Sequence, residues 1–587
     1  MWFVSVLALL LALSLLPGLS LDTSVPRWWV AVLRLPLIFA GLLIVLRPVL
    51  LFLTLPLNSL TLGLPTLLFN GLILWLAAGA EPAISIDNYP EALVGTLVLT
   101  VVSAGVTGWL GLDEAYPFFQ SVIYRVGRRF GPRPERKPLR GLLLLQVDGL
   151  SLPSLERALA RGRMPTVSAM LAKGTHRLHG WHCGVPSNTP AFQAGFFYGN
   201  RENVPGYRWF DRAEQRVRVV SDADDLRDLE ARVAAEGGAP LLAGGSCVNS
   251  FMDGGAAKRL MTVSALGETA DRRRDGERAD FNLFFLSPSA YTMAVLSGLW
   301  DYLAGLVLAA FGRLRTSRPP LRFSVKRVAQ RAVANTFLRD LAFFWIKQDM
   351  VRGVPVIYSN FVGYDDVAHY TDPDAYEAAI SLSAFDRHLR KLQRRASRQS
   401  PVRYDIVLLS DHGQTPSVPY RMLAGERFED TVARLLGDSQ ARPWEPGRAF
   451  NPDRSYTAAL LAELDESGAG GLGWAARRGR RTLASIAPEG AGASPEPQGV
   501  KAVVCPSGCL AHIYFTGHGR ALPLEDIVER YPGFIEALLR CPGVGFVAAA
   551  RQYGDAVALT RGGARNLITG QRGGGPDPLA PYGEPDR

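Results

Sequence analysis

Apolar residues follow two different patterns along this chain. Residues 1–112 consist mainly of long runs of Leu, Val, Ala and Gly, whereas the remainder alternates short apolar runs with polar and charged segments. Runs of about 20 apolar residues are typical of membrane-spanning helices. Short apolar runs bounded by polar residues are typical of buried strands. The pattern therefore predicts an α-helical transmembrane module followed by an α/β region.

Within the first region, apolar segments at 1–20, 28–46, 60–79 and 92–112 each approach the length that a bilayer requires. The first segment lacks a basic start and an obvious small-residue cleavage site, which favours a retained helix over a cleaved signal peptide. Pro and Gly residues between 47 and 63 predict a broken or interfacial segment. These features predict a four-helix transmembrane module over 1–112.

Charge gives this module an orientation. The loop at 80–91 contains three acidic residues and no Lys or Arg, whereas seven basic residues occur between 125 and 140. The positive-inside rule therefore predicts that the region after the fourth span is cytoplasmic. Residues 113–140 are predicted to form a basic juxtamembrane linker that contacts anionic lipid.

The overall composition narrows the set of partners. The net charge of +10 fits an anionic partner. A lipid bilayer is favoured over nucleic acid as that partner, because the sequence contains no zinc finger, Gly-rich RNA-binding signature or Lys-rich arm. Five cysteines, an odd and small number, argue against a disulfide framework.

Three apolar runs in the second region end at residues that can bind a metal. The run at 142–147 ends at Asp148, the run at 406–409 ends at Asp411 and His412, and the run at 354–360 leads to Asp365 and His369. Open α/β sheets bind ligands at the carboxyl ends of their strands. Asp365 and His369 are four residues apart, so one helical turn brings both to one face. Carboxylates and imidazoles together are suited to zinc-like metals, and the sequence therefore predicts a metal centre at this edge of the sheet.

Thr189 precedes Pro190, which predicts that a helix begins here. Its hydroxyl is either a helix N-cap or a nucleophile beside free backbone amides, and Ser187 and Asn188 are rival caps. The Gly- and aromatic-rich segment 196–215 either contacts a substrate or packs as a loop. Its candidate substrate-binding residues are Asn200, Asn203, Arg208 and Trp209.

Three histidines, at 176, 179 and 182, recur every third residue upstream of Thr189. In a strand this spacing does not bring all three to one face, so they are interpreted as polar strand positions and not as a metal site.

The remaining segments complete the domain organisation. Residues 141–570 are predicted to form one catalytic domain, with further strands near 502–504, 511–515 and 544–549. Residues 283–345 are predicted to be a helical insertion that lies on the bilayer or over the active site. Residues 462–500 are predicted to be a flexible insertion, and residues 571–587 a disordered tail.

The ordered set Asp148, Thr189, Asp365/His369 and Asp411/His412 resembles the alkaline phosphatase superfamily, and within it the nucleotide pyrophosphatase/phosphodiesterase branch. In the N-terminal region, Arg47-Pro48 and the Leu-Thr-Leu-Gly at 60–63 resemble the small four-helix holin-like membrane family. The first resemblance implies an α/β/α sandwich with a mostly parallel central sheet. It also implies a membrane-anchored hydrolase that acts on a phosphodiester or pyrophosphate through a phospho-threonine intermediate at Thr189.

The resemblance implies two divalent ions, Zn²⁺ or Mn²⁺. One would be held by Asp148, Asp411, His412 and the Thr189 oxygen, and the other by Asp365, His369 and one further histidine. The C-terminal His-Gly segment that supplies this histidine in the family is missing from the chain. His518 has the better local sequence for the role, and His512 has the better position beside a strand.

Two further points stay open at this stage. Members of the family usually act outside the cytoplasm, which disagrees with the charge rule, so the side of the membrane is not fixed. The alternative functions are a transferase that passes a phospho-group to a lipid or envelope polymer, and a non-catalytic membrane assembly protein with a degenerate phosphatase-like domain.

Overall fold

The computed structural model describes residues 2–53, 64–109, 140–266, 284, 294, 297–307, 332–398, 400–437, 502–516 and 518–582. Their contacts divide them into two units: the first contains 2–202 and 226–414, and the second contains 203–225, 415–437 and 502–582. The predicted catalytic range 141–570 contributes to both units. The predicted flexible insertion, the linker before Arg140 and much of the predicted insertion at 283–345 lie outside the described residues.

The N-terminal region contains helices α1 (Trp2–Leu15), α2 (Trp28–Leu53), α3 (Leu64–Ala78) and α4 (Tyr89–Trp109). They pack around a shared apolar core that includes Leu9, Leu35 and Leu74. Two short strands, β1 (Leu19–Leu21) and β2 (Ile84–Ile86), form an antiparallel pair that the hydropathy pattern did not predict. The predicted break after residue 46 does not occur before Leu53, because α2 continues through Pro48. Among the helices in the described part of the chain, none is both long enough and apolar enough to cross a membrane.

Beyond Arg140 the elements follow in chain order, with a π-helical segment at Val333–Phe337 before α9. They are β3 (Arg140–Val147), α5 (Leu152–Ala160), α6 (Pro165–Ala172), α7 (Thr189–Tyr198), β4 (Arg208–Asp211), β5 (Arg216–Val219), α8 (Ala223–Glu236), β6 (Ser246–Ser250), β7 (Lys258–Thr262), α9 (Leu338–Arg352), β8 (Val356–Phe361), α10 (Gly363–Tyr370), α11 (Tyr376–Arg398), β9 (Arg403–Leu409), α12 (Tyr420–Ala424) and α13 (Phe428–Leu435). The C-terminal elements are β10 (Ala502–Ser507), β11 (Leu510–Phe515), α14 (Leu524–Arg530), α15 (Phe534–Arg540), β12 (Val547–Ala550), β13 (Ala556–Leu559), β14 (Ala564–Asn566) and β15 (Arg572–Gly573).

The first unit is built on a five-stranded, all-parallel sheet in the order β7-β6-β8-β3-β9. The strands β3, β8 and β9 confirm the three apolar runs that the sequence singled out. In this register Val147 of β3 lies opposite Phe361 of β8, and Gln146 lies opposite Leu409 of β9. The carboxyl ends of these three strands are therefore neighbours.

Helices cover both faces of this sheet. On one face, Phe197 of α7 packs edge-on against Tyr358 of β8, with ring centroids 4.8 Å apart. On the other, Phe343 of α9 stacks on Phe361 of β8 at 4.5 Å. Tyr358 and Phe361 point to opposite faces because side chains alternate along a strand. This arrangement explains the near-continuous apolar strands and confirms the predicted α/β/α sandwich with a parallel central sheet.

The second unit is antiparallel. It contains the ribbon β4–β5, the hairpin β10–β11 and a four-stranded sheet in the order β12-β13-β14-β15. Residues 571–582, for which disorder is predicted from composition, include β15. There the Asp577 carboxylate contacts Arg565 at 2.6 Å and Arg572 at 3.1 Å. Residues 583–587 lie outside the described residues.

Candidate metal centre and nucleophile

Three neighbouring strand ends bring acidic and imidazole side chains together in the first unit. Asp148 directly follows β3, Asp411 and His412 follow β9, and Asp365 lies in the first turn of α10, just after β8. All three carboxylates are buried. This convergence follows from the parallel register, which places the ends of β8, β3 and β9 side by side.

The cluster has the spacing of a metal site. One ligand atom from each of Asp148, Asp365 and His412 lies within 4.8 Å of the other two. His412 Nε2 is 3.5 Å from Asp148 Oδ1 and 3.4 Å from Asp411 Oδ2. Asp411 Oδ1 accepts a hydrogen bond from the Gly149 amide at 3.1 Å. Asp411 Oδ2 is buried and has no hydrogen-bond partner among the described residues, as expected for an oxygen that binds a cation.

The electrostatics of the cluster also fit a cation. Burial and the nearby carboxylates of Asp411 and Asp365 raise the pKa of Asp148 well above its usual value. Burial alone would lower the pKa of His412, but the three surrounding carboxylates raise it to about 9. Burial alone would also raise the pKa of Asp365, yet its contacts with His369 lower it. Negative charge is therefore concentrated in a buried place where a divalent ion would offset it.

Thr189 lies beside this cluster with its hydroxyl not used as a helix cap. The cap of α7 is Asn188, whose Oδ1 accepts a hydrogen bond from the Ala191 amide at 3.0 Å. Thr189 Oγ1 is 3.4 Å from Asp148 Oδ1 and 3.4 Å from His412 Nε2. The side chain is buried, and its oxygen faces the groups that the sequence predicted to hold a metal.

His369 meets Asp365 across one turn of α10, as the spacing predicts. Its Nε2 lies 3.2 Å from Asp365 Oδ2, and its side chain is 58% exposed. An exposed imidazole held against a buried carboxylate is suited to the outer side of a metal site.

The other predicted site residues have different surroundings. Asn200 lies in the turn after α7, where its Oδ1 accepts a hydrogen bond from the Glu202 amide at 2.9 Å. Asn203, Arg208 and Trp209 belong to the second unit, where Trp209 is a buried residue of β4. Their roles in substrate binding stay predictions.

The two candidates for the last metal ligand also belong to the second unit. His512 is on β11, and its Nε2–H donates to the Pro205 carbonyl at 2.7 Å. His518 lies in a bend after β11 and is half-buried. The assignment of either imidazole as a metal ligand stays a prediction.

Two amides that support the cluster did not emerge from the sequence. Asn360 Nδ2 donates to Asp148 Oδ2 at 2.7 Å, and the Asn360 carbonyl accepts from Asn249 Nδ2 at 2.7 Å. Gln414 Nε2 donates to the Asp365 carbonyl at 3.1 Å and also contacts the Asp365 carboxylate. A polar residue at the end of the buried run 354–360 was the available signal for Asn360. Both amides hold predicted metal ligands in place.

We expect Asn360→Leu to weaken divalent-ion affinity by about 10- to 100-fold, because the Asp148 carboxylate loses the donor that fixes its orientation. Metal titration of the purified protein measures this effect. The control is Ser359→Ala, since the adjacent Ser359 hydroxyl is buried without a hydrogen-bond partner among the described residues. Equal metal affinity in the two variants would contradict a supporting role for Asn360.

Comparison with known families gives two matches. Residues 142–468 match the family model described as Type I phosphodiesterase / nucleotide pyrophosphatase. Residues 1–104 match the family model described as Mycobacterial 4 TMS phage holin, superfamily IV. No match was found among curated proteins or among solved structures. The first match covers more than half of the chain and contains both Thr189 and the whole acidic and imidazole cluster of the first unit.

Proposed function

Because the chain belongs to the type I phosphodiesterase / nucleotide pyrophosphatase family, we propose that it is a membrane-anchored hydrolase of phosphodiesters or pyrophosphates with Thr189 as nucleophile. The match of residues 1–104 to a four-helix holin supports membrane association. The observation that carries the proposal is the position of the Thr189 hydroxyl. It is released from helix capping by Asn188 and lies 3.4 Å from both Asp148 and His412.

We assign the residues of the cluster to two divalent ions. Asp148, Asp411, His412 and the Thr189 oxygen would hold one ion, and Asp365, His369 and a further histidine would hold the other. The mixed nitrogen and oxygen donors favour Zn²⁺, with Mn²⁺ as the alternative. When bound, such ions would lower the pKa of the hydroxyl and offset charge on the phosphoryl oxygens.

The residues of the chain have separate tasks in the proposed reaction. Thr189 Oγ1 gives up its proton to water and attacks phosphorus, and the bond from phosphorus to the leaving oxygen breaks. The leaving oxygen takes up a proton, and the phosphoryl group, with its remaining ester substituent, is carried on Thr189. Water then attacks the same phosphorus and releases the threonine. Asp148 accepts the hydrogen bond of the hydroxyl and orients its oxygen, while Asn360 keeps Asp148 in place.

The test uses the purified full chain and the soluble diester bis(p-nitrophenyl) phosphate, with p-nitrophenyl phosphate as the monoester control. We expect hydrolysis of the diester that stops on exhaustive chelation and returns with added Zn²⁺ or Mn²⁺. Mass spectrometry after acid quenching should show a p-nitrophenyl phosphoryl group on the peptide that contains Thr189, because only one of the two nitrophenolates has left. Turnover that survives chelation would overturn the proposal. An added acceptor alcohol separates hydrolysis from phospho-group transfer, because a transferase would form the alcohol ester.

A further inference from the structure

A segment without regular secondary structure, residues 174–187, connects α6 to the nucleophile at the start of α7. His176, His179 and His182 belong to this segment, so their interpretation as strand positions is wrong. The segment lies along β9, which within the described residues is an edge strand paired with β3 alone. His176 Nε2–H donates to the Ile406 carbonyl at 3.2 Å, and Trp181 Nε1–H donates to the Ser410 carbonyl at 3.1 Å. The segment therefore satisfies carbonyls that an uncovered edge strand would expose.

The segment is also attached to α7. The Trp181 ring lies 5.5 Å from the ring of Phe192, and the Arg201 guanidinium donates to the Cys183 carbonyl at 2.6 Å and to the Val185 carbonyl at 3.2 Å. These contacts fix both its middle and its outer end. The side chains that it exposes therefore belong to an anchored segment that leads directly into Thr189.

Beside polar side chains such as Arg177, His179 and His182, the segment exposes three apolar ones. The exposed fractions are 38% for Leu178, 52% for Trp181 and 74% for Val185. Single exposed apolar residues are ordinary on a protein surface, but three within eight residues of an anchored segment indicate a contact surface. Trp is a residue that membrane proteins place at the bilayer–water boundary, because its ring is apolar and its N–H is polar.

The charge around this surface selects the kind of partner. Residues 157–201 contain six Lys and Arg residues and no Asp or Glu. Lys173 and Arg177, which flank the start of the segment, are exposed. Exposed apolar side chains that follow exposed cations in the same segment are complementary to a bilayer that contains anionic headgroups. The same chain carries a holin-like N-terminal region, so a bilayer is the partner that the molecule itself brings near.

We propose that residues 174–187 contact the headgroup region of an anionic bilayer and so present Thr189 to a phosphodiester carried by a lipid. Val185, the most exposed of the three apolar residues, is only four positions before the nucleophile in the sequence. A substrate held at the membrane surface would therefore reach the metal centre without leaving the bilayer. The substrate half of this proposal rests on the proposed function, whereas the bilayer contact does not.

The bilayer contact is tested with the full chain in nanodiscs of phosphatidylcholine and phosphatidylglycerol. The background variant is Cys183→Ser/Cys509→Ser, which lacks the more accessible native thiols. In this background a single cysteine is introduced by Leu178→Cys, Val185→Cys or, as the control, Leu241→Cys, and is labelled with an environment-sensitive fluorophore. Leu241 is also 38% exposed but precedes β6, at the end of the sheet opposite to Asp148. We expect nitroxide lipids to quench the labels at 178 and 185 at least about twofold more than the label at 241. Equal quenching at the three positions would overturn the bilayer contact.

The substrate half is tested by comparing turnover of a fluorogenic diester on a diacyl anchor in the same discs with turnover of soluble bis(p-nitrophenyl) phosphate. We expect Leu178→Asp/Val185→Asp to lower the rate on the lipid-anchored diester, relative to the rate on the soluble diester, at least about tenfold. The reason is that the new carboxylates oppose insertion beside anionic lipid. Leu241→Asp is the control and should keep the wild-type ratio. An unchanged ratio in the double variant, with soluble turnover present, would overturn the substrate assignment alone. Absence of turnover on both substrates would instead refute the proposed function, and the quenching result would still decide the bilayer contact.

Discussion

Replacing Thr189 by alanine is expected to lower kcat for phosphodiester hydrolysis by at least about 10³-fold, because the variant lacks the oxygen that attacks phosphorus. The fold should be preserved, since Asn188 and not Thr189 caps α7. Initial rates on the soluble diester, measured beside a thermal unfolding curve for each protein, separate loss of chemistry from loss of structure.

Two neighbouring variants sharpen this test. Thr189→Ser keeps a hydroxyl at the same position and should retain far more activity than the alanine variant. Asn188→Ala removes the helix cap and should cost about 1 kcal/mol of stability while keeping the nucleophile. A Thr189→Ala protein with a rate close to that of the wild type would show that another group attacks phosphorus.

The cap shows what the sequence around Thr189 could not decide. Ser187, Asn188 and Thr189 are all good N-cap residue types, so residue type alone leaves three choices. The backbone conformation determines which residue caps the helix. Asn188 is extended, with φ −156° and ψ 159°, and its side chain therefore accepts a hydrogen bond from the Ala191 amide in the first turn of α7. Because Asn188 is the cap, the Thr189 hydroxyl can act as the nucleophile.

The three strand ends were predictable for a different reason. Mainly apolar runs that end just before Asp148 and Asp411 indicate both a buried strand and the position of its carboxyl end. The strands β6 and β7 did not emerge in this way, because their sequences mix apolar with polar and basic residues. The link from Asn360 to Asp148 also depends on which strands are neighbours, and tertiary pairing of β3 with β8 fixes that.

Local backbone geometry accounts for another difference. The apolar spacing at 153–173 predicts one helix, but the structure contains α5 and α6. Gly162 between them has a left-handed φ of +65°, and Pro165 begins the second helix. The start of α6 is then stabilised from a distant part of the chain, because the buried Asp386 carboxylate accepts hydrogen bonds from the Thr166 and Val167 amides. No local pattern could reveal that partner.

We expect chelation to destabilise the wild-type protein more than Asp148→Asn. A divalent ion at about 1,000 times its Kd adds roughly 4 kcal/mol to the free energy of unfolding, and chelation removes this contribution. The variant lacks one predicted ligand, so it should gain little from added metal. Its amide oxygen can still accept the hydrogen bond from Asn360, which keeps the local packing.

The effect of Asp148→Asn on thermal stability should have opposite signs with and without metal. In chelator the wild type keeps buried like charges close together, and burial with Asp411 and Asp365 raises the pKa of Asp148 because its ionised form is disfavoured. Asp148→Asn removes the carboxyl whose ionisation the fold disfavours, a cost that applies above the usual pKa of Asp, so in chelator at neutral pH we expect it to unfold at a higher temperature than the wild type. With Zn²⁺ the order should invert.

Thermal unfolding of both proteins, with chelator and with Zn²⁺, measures the crossing directly. Asp386→Asn is the matched control, because Asp386 is an equally buried carboxylate that bonds backbone amides of α6 and lies outside the metal cluster. It should lower stability by a similar amount in both conditions, since its partners do not change with metal. If chelation instead shifted the wild type and Asp148→Asn equally, the ion would be bound elsewhere. If metal inverts the order of wild type and Asp148→Asn but not that of wild type and Asp386→Asn, the same carboxyl both destabilises the metal-free protein and binds the ion.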